Sequence, residues 1–431
     1  MKRAISTLAA FGLAVTLAGC GSSSGSGSGS SGSSTAAVHF WTLKDPTNTV
    51  QQAGIDTLNT TAKTKITMDV VPSDGYLDKL RTAMGSNRMP GMFFSWGGGP
   101  MREYATAKKI VDVATLPGGK DLASHFLPAV LKVGQTADGT LVGVPCRGTQ
   151  PVFLFYNKKV FTAAGVQPPK TWSDLQSLIT TFTGKGITPF ALAGKGGNEW
   201  TELMWLEYLT DRLGGPQVFN KIQAGDSSGW TDPAILQAAQ MIKKLVDGGA
   251  FGKKFGSVAY GAGGSSTLLS SGKAAMELMG SWEYAVQQGT SADFAKNDLG
   301  YVAFPTVDGG KGDPNDVVGN PSNYVSVTTS ADATTAGAYL QTLYGDDYVK
   351  GLVKMGEVPV TTNAKDALAA APDPAYATFQ FNLVQQAPAF TQSWDQALGF
   401  KIATPMLAEL QKLFNGQQTP QQFVAAAAAL K

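Results

Sequence analysis

The chain has 431 residues, 43% of them apolar and 15% charged, and its 34 basic and 32 acidic residues leave a net charge of +2. This near-neutral balance argues against a nucleic-acid partner, which usually requires a basic stripe, and it favours an uncharged ligand. The length exceeds what one hydrophobic core holds, so we expect two lobes.

The first segment predicts export. Lys2 and Arg3 precede an apolar run over residues 8–17, which is too short to span a bilayer and is typical of a secretory signal. Leu17-Ala18-Gly19-Cys20 resembles the bacterial lipobox, in which cleavage precedes the cysteine and lipid is attached to it. We therefore expect a signal peptide over residues 1–19 and a lipid anchor on Cys20. The protein would be held on the outer face of the bacterial cytoplasmic membrane.

Residues 21–34 contain only glycine and serine. Such a segment has no side chains with which to build a core, so residues 20–35 are predicted to form a flexible tether. No later stretch approaches eighteen uninterrupted apolar residues, which gives no second membrane segment.

The remaining cysteine and the two histidines offer no metal chemistry. With Cys20 lipidated, Cys146 stands alone, which excludes an intrachain disulfide and a cysteine metal site. We expect Cys146 to be a small buried residue. His39 and His125 lack metal-ligand spacing, so neither a metal nor a cofactor is expected.

Strand-like and helix-like segments alternate from residue 38 onward. The predicted strands cover residues 38–41, 66–71 and 91–96, and the predicted helices cover residues 49–63, 76–86 and 100–109. This alternation predicts an α/β fold with a mostly parallel sheet flanked by helices. Ligands of such sheets gather where strands end, which here includes the loops at Lys44-Asp45 and Trp96-Gly97.

A second α/β unit is predicted after Pro145. It opens with a strand over residues 151–156 and a helix that starts at Thr171, with Asp174 completing a capping box. A later strand is expected over residues 325–328. A final helix is expected to start at residues 419–422.

An ordered set of motifs in this chain resembles the extracellular solute-binding proteins of family 1, the sugar-capturing subunits of ABC importers related to maltose-binding protein. The motifs are residues 153–161 (FLFYNKKVF), Ala164-Gly165, residues 169–175 (PKTWSDL), residues 272–276 (GKAAM) with residues 280–282 (GSW), and residues 90–96 (PGMFFSW). The family usually has aspartate after the proline of the last motif, and this chain has Gly91, which affects the turn rather than ligand chemistry.

The resemblance implies two α/β lobes joined by several chain crossings, with the ligand in the cleft between them. The first lobe would comprise residues 36–146 and 301–348, and the second residues 147–300 and 354–431. It also implies a monomer that delivers sugar to an ABC permease by closure of the cleft, with no catalytic activity.

A sugar presents a face of C–H groups and a rim of hydroxyls, so its site requires flat aromatic rings and polar groups of fixed geometry. Trp96 and Trp282 follow predicted strands, and Trp394 precedes a predicted helix; Trp96 and Trp394 match ligand-stacking positions of the family. The three glycines that begin at Gly97 would let a ligand approach the backbone. Asp395 is a candidate acceptor of sugar hydroxyls, with helix capping as its alternative role.

Further candidate contacts lie in loops and at strand ends. They are Asp45, Lys44, Gln150, Trp200, Glu283, Asn323 and Tyr324. The remaining tryptophans are expected to be structural: Trp172 and Trp230 at helix starts and Trp205 on the core face of a helix.

Two other functions are compatible with these residues. A secreted glycoside hydrolase would need two carboxyl groups about 5 to 10 Å apart, which sequence spacing cannot locate. A sugar sensor or adhesin would use the same binding chemistry without a permease.

Overall fold

The computed structural model describes residues 37–73, 75–86 and 88–430, so the predicted signal peptide, Cys20 and the tether lie outside the described residues. Within the described chain the strands are β1 Val38–Leu43, β2 Ile66–Val71, β3 Met92–Ser95, β4 Val144–Pro145, β5 Gly148–Asn157, β6 Thr188–Ala191, β7 Ala274–Gly280, β8 Leu299–Val302, β9 Val317–Asn320, β10 Tyr324–Val327, β11 Val358–Pro359 and β12 Phe390–Gln392.

The α-helices lie between and after these strands. They are α1 Asn48–Asn59, α2 Tyr76–Met84, α3 Gly98–Thr106, α4 Gly119–Leu122, α5 Pro128–Leu131, α6 Lys158–Ala164, α7 Trp172–Gly184, α8 Glu199–Gly214, α9 Gln217–Gln223, α10 Pro233–Asp247, α11 Ser265–Ser270, α12 Glu283–Thr290, α13 Ala292–Asn297, α14 Ala333–Thr342, α15 Asp346–Lys354, α16 Ala364–Leu368, α17 Pro374–Gln386, α18 Trp394–Ala397, α19 Phe400–Phe414 and α20 Pro420–Ala428. None of these helices combines the length and apolar character needed to cross a lipid bilayer.

The predicted alternation over the first hundred residues is confirmed, with ends that differ by a few residues. The order of the first sheet is β2-β1-β3-β10-β4. Strands β1, β2 and β3 run parallel, and β10 runs antiparallel to β3 and β4. All four residues of β3 are buried, as expected for a central strand covered on both faces.

The second sheet has the order β12-β9-β5-β7-β6, with β8 and β11 also paired to β5. The ten-residue strand β5 runs antiparallel to β7, β8, β9 and β11, whereas the β6–β7 and β9–β12 pairs are parallel. The two-sheet α/β class is therefore confirmed, but this sheet is mixed rather than mostly parallel. The capping box predicted at Thr171 is present, with its hydroxyl accepting from the Asp174 amide at 3.1 Å.

Each sheet has its own hydrophobic core. Phe40, Phe93 and Tyr339 lie in the first core, and the ring centroids of Phe40 and Tyr339 are 5.4 Å apart. Phe153 and Trp205 lie in the second core, which also covers the C-terminal helices. The two separate cores define two lobes.

The chain passes between the sheets at residues 146–147, 321–323 and 355–357. The return to the first sheet occurs at Tyr324, which corrects the boundary expected near residue 301. Strands β8 and β9 cause the difference, because both pair with β5 and so belong to the second sheet. Cys146 lies at the first crossing and is buried, as predicted.

Candidate ligand-binding site

Three half-buried aromatic residues of the second lobe lie together and form what we call the aromatic wall: Trp200, Tyr260 and Trp282. The Trp200 ring meets the edge of Tyr260 with centroids 5.1 Å apart, and it lies 6.1 Å from Trp282. Trp200 belongs to the first turn of α8, and Trp282 is the N-cap residue of α12, directly after β7. The wall therefore stands at the end of a buried strand, where α/β folds bind ligands.

A glycine allows Trp282 to take this position. A Cβ atom on Gly280 would lie 1.9 Å from the Trp282 ring. Because real Cβ atoms do not approach this closely, only glycine lets the ring fold back over the end of β7. The glycine of the Gly-Ser-Trp motif is thus required by the position of the tryptophan ring two residues later.

Glu283 lies behind the wall and does not reach its surface. Its side chain is fully buried, and its carboxylate accepts hydrogen bonds from Tyr260 Oη at 3.0 Å, Ser266 Oγ at 3.0 Å and Gln287 Nε2 at 2.7 Å. Burial raises the pKa of Glu283 to about 7, and the three hydrogen bonds oppose that rise. The expected direct contact with a ligand is therefore corrected.

Trp96 is half-buried at the end of β3 in the first lobe. Its ring meets Tyr76 and Phe94 edge to face, at centroid distances of 6.0 and 5.2 Å. Its carbonyl oxygen accepts from Gln392 Nε2 at 2.9 Å. The ring is thus fixed at a strand end and is partly exposed, as a stacking surface requires.

Five side chains meet at the chain crossings and form what we call the polar centre: Asp45, Arg147, Gln150, Asn323 and Glu357. Arg147 Nη1 donates to Asp45 Oδ2 at 2.8 Å, and Arg147 Nε donates to Glu357 Oε1 at 2.7 Å. The Gln150 amide, oriented to satisfy its partners, accepts from Arg147 at 3.2 Å and donates to Asn323 Oδ1 at 2.7 Å. Burial alone would lower the Arg147 pKa, but Asp45 and Glu357 raise it above its ordinary value.

The polar centre changes the interpretation of three predicted contacts. Asp45 also accepts from the Thr47 amide and hydroxyl, at 2.8 and 2.6 Å, so its acceptors are occupied by protein donors. Gln150 and Asn323 are almost fully buried. Lys44, by contrast, is exposed beside them.

Tyr260 is influenced by charges of both lobes. Burial raises the Tyr260 pKa well above its ordinary value, the Glu283 charge contributes next, and the Asp45 charge contributes as well. Asp45 follows β1 of the first sheet, so a charge of the first lobe lies close enough to affect Tyr260.

The glycines after Trp96 contact the chain rather than open space. Gly97 has φ of 74°, and a Cβ atom there would lie 2.8 Å from the ring of Tyr324. Cβ atoms on Gly98 and Gly99 would lie 2.2 Å from the Gln396 carbonyl oxygen and 2.4 Å from the Leu398 carbonyl. In the direction of their Cβ atoms, Gly97 therefore contacts Tyr324, and Gly98 and Gly99 contact the residues before α19.

Three predicted contacts are mostly buried. Trp394 is 1% exposed; it stacks on Phe219 at 4.7 Å and meets the edge of Trp230 at 6.0 Å, so it has no open face for a ligand. Tyr324 is fully buried, and its hydroxyl donates to the Val130 carbonyl oxygen at 2.7 Å. Asp395 lies in the first turn of α18, where burial raises its pKa to about 6.

The remaining tryptophans have the structural role that the sequence predicted, whereas two residues of the site were not predicted. Trp172, Trp205 and Trp230 are buried in the second core, as expected. Sequence reasoning missed Tyr260 and Arg147, because no local motif distinguishes them. No three His, Cys, Asp or Glu side chains of the described ranges converge to hold a metal ion.

The family model of bacterial extracellular solute-binding proteins matches residues 42–350, and the chain belongs to that family. Members of this family are solute-binding proteins and not enzymes, so the membership does not support a glycoside hydrolase. Membership also implies export.

Several known proteins are similar to this chain. The osmoprotective compounds-binding protein GgtB of Synechocystis is 26% identical over 36% of this chain and 37% of its own length. The chain spans less than half the length of the first curated relatives that it matches. Relatives from Mesorhizobium, Rhizobium and Brucella are named probable sugar-binding periplasmic proteins.

Solved structures match nearly the whole described chain. A structure from work on xylan utilisation by Caldanaerobius polysaccharolyticus has a TM-score of 0.81 and 26% identity, covering 91% of this chain and 99% of that one. A chitin oligosaccharide binding protein has a TM-score of 0.79 and 25% identity, covering 91% and 97%. The fold is the two-lobed fold of these proteins.

Proposed function

We propose that this protein binds an uncharged sugar or oligosaccharide between its lobes and delivers it to an ABC importer. The observation that carries the proposal is the aromatic wall, a set of three half-buried rings that contact one another at the end of a buried strand. Flat rings suit the C–H faces of sugar rings. The names of the relatives and of the structural neighbours support the same ligand class.

The charges in this region support an uncharged ligand. Asp45 and Glu357 are paired with Arg147, and Glu283 is satisfied by three donors. These buried carboxylates already have protein partners, so they do not call for a cationic ligand to neutralise them. This pattern favours a neutral ligand.

The proposed site takes one ring from the first lobe and three from the second. Trp96, Trp200 and Trp282 would stack on sugar, and the Tyr260 hydroxyl would contact its rim. Lys44 lies at the exposed edge. Trp394, Tyr324 and Asp395 are not part of this proposed site.

The binding experiment is a thermal-shift screen of the protein carrying Cys20→Ala against mono- and oligosaccharides, followed by calorimetry. A ligand that binds only the native state raises the apparent melting temperature. Trp282→Ala should weaken the interaction, whereas Trp172→Ala, outside the site, should leave it unchanged. Absence of binding across neutral sugars, together with binding of a charged solute, would contradict the proposal.

The proposed mechanism is capture by closure. We assign residues 37–146 and 324–354 to the first lobe and residues 147–320 and 357–430 to the second, with the crossings between them as hinges. Only a closed cleft lets both lobes contact the ligand, so ligand shifts the population toward closure. X-ray scattering should give a smaller radius of gyration with bound sugar; superimposable profiles would refute closure.

The proposed location is the outer face of the cytoplasmic membrane, with lipid on Cys20 and the protein acting as a monomer beside its permease. Mass spectrometry of membrane-extracted protein should show a lipid-modified N-terminal cysteine. Cys20→Ala should release the protein from the membrane. An unmodified N-terminus would contradict lipid anchoring without affecting the sugar-binding proposal.

A further inference from the structure

A second buried carboxyl group lies next to Glu283. Glu277 belongs to β7, is 1% exposed, and neither of its oxygens has a hydrogen-bond partner among the described residues. Burial raises its pKa well above the ordinary value, and the Glu283 charge raises it further. Simultaneous ionisation of the two groups is therefore disfavoured.

The geometry decides which carboxyl carries the negative charge. Glu283 receives donors from the loop of Tyr260, from α11 through Ser266 and from α12 through Gln287. Near Glu277 lies the Ser265 hydroxyl, which does not reach hydrogen-bond geometry in the described structure, so Glu277 has weaker support for a charge than Glu283 and its neutral form is favoured. The negative charge thus resides on Glu283, directly behind the aromatic wall.

The other titratable groups around the pair do not supply a counter-charge. Tyr260 and Tyr376 face Glu283, and Asp45 acts on Tyr260 from the first lobe. Neither Glu277 nor Glu283 forms an ion pair with a basic side chain in the described chain. Protonation of Glu283 is therefore the available response of this cluster to falling pH.

We propose that Glu283 is a positioning residue of the sugar site: its carboxylate orients Tyr260 and thereby Trp200 and Trp282, while Glu277 stays protonated, and proton uptake by Glu283 releases Tyr260 and weakens ligand binding. The predicted effect of Glu283 protonation on ligand affinity rests on the proposed function. The coupling between Glu283 and the aromatic wall does not depend on a ligand, because it rests on the hydrogen bond from Tyr260 to Glu283.

The direction of the pH dependence follows from the carboxylate being the binding-competent form. The Glu283 pKa is about 7, so Glu283 is ionised above that pH and protonated below it. A neutral sugar does not titrate in this range. Affinity should therefore be highest near pH 8 and should fall by up to about thirtyfold by pH 5.5, in proportion to the ionised fraction of Glu283.

The first experiment needs no sugar. The full chain carrying Cys20→Ala is labelled with 5-fluorotryptophan, and the fluorine NMR signals are assigned by Trp200→Phe and Trp282→Phe. Between pH 5.5 and 8.5 both signals should shift with a common midpoint near pH 7, and Glu283→Gln should abolish the transition. Glu277→Gln should retain it, because that carboxyl carries no charge.

Asp211→Asn is the matched control. Burial raises the Asp211 pKa to about 7 as well, but this residue lies three turns along α8 from Trp200. Its substitution should leave the transition in place. Signals that do not titrate, or a transition that persists in Glu283→Gln or disappears in Glu277→Gln, would overturn the inference; circular dichroism confirms that each variant is folded.

The second experiment separates this inference from the proposed function. Calorimetry with a sugar identified by the screen should show the pH-dependent loss of affinity in the wild type and a flat profile in Glu283→Gln. A wild-type affinity that does not change with pH refutes the inference and leaves sugar binding intact. If no sugar binds at any pH, the proposed function fails, and the fluorine titration still decides the role of Glu283.

Discussion

Glu202 should destabilise the folded protein at neutral pH, and Glu202→Gln should remove that effect. The side chain is fully buried in α8, and neither of its oxygens has a hydrogen-bond partner in the described structure. Burial, with a further contribution from Glu199, raises its pKa to about 9 from an ordinary value of 4.5. The folded protein therefore holds a proton here that the unfolded chain releases.

The sign and size follow from proton linkage. The pKa is raised on folding, so the contribution of this group to stability is complete below about pH 4.5 and is lost as pH rises toward 9. Each pH unit in that window changes the free energy of unfolding by about 1.4 kcal/mol. At pH 7 the accumulated loss is about 3 kcal/mol, which a neutral glutamine of the same shape recovers.

The assay is urea denaturation of both proteins at five pH values between 4.5 and 9. The variant should match the wild type at pH 4.5 and exceed it progressively, by about 3 kcal/mol at pH 7. Glu409→Gln is the surface control: Glu409 pairs with Lys412 at 2.6 Å, and its loss should change stability by less than about 1 kcal/mol at every pH. Stability curves of wild type and Glu202→Gln that run parallel would refute the reasoning.

Three further predictions concern single residues. Trp282→Ala should weaken sugar binding in calorimetry by about 1 to 3 kcal/mol with little loss of stability, whereas Trp394→Ala should lower the free energy of unfolding by about 3 to 5 kcal/mol, because it empties a core position. If urea denaturation shows a larger loss of stability for Trp282→Ala than for Trp394→Ala, the assignment of Trp282 to the site and Trp394 to the core is wrong. Arg147→Ala should destabilise by about 3 to 5 kcal/mol, since Glu357 stays buried without its partner, and an unchanged urea midpoint would contradict this. Gly99→Val should lower the melting temperature in calorimetry by several degrees, because its side chain would overlap the chain before α19. An unaltered melting temperature would show that the neighbouring chain moves aside without cost.

Local patterns predicted the first strands and helices because apolar residues recur with the period of each element. The alternation in β1 and the apolar run of β3 needed no knowledge of the partner strands. The mixed pairing of β5 was missed, because strand order depends on contacts between residues more than a hundred positions apart. Periodicity carries no such information.

The tryptophans show the same limit within the site. Trp282 and Trp394 both stand at the junction of a strand and a helix, yet one is half-exposed and the other is covered by Phe219, a residue of α9. The glycines after Trp96 were ambiguous in a similar way, because a close backbone approach looks the same in sequence whether a ligand or a distant segment makes it. Tertiary packing alone distinguishes these cases.

Arg147 also has a consequence for how the protein unfolds. Its partner Glu357 is 210 residues away in the chain, and Asp45 is 102 residues away in the other direction. Arg147 and Glu357 both belong to the second lobe, whereas Asp45 belongs to the first, so a species with only one lobe folded loses the Arg147–Asp45 pair. The loss of this largely buried pair should couple the unfolding of the two lobes.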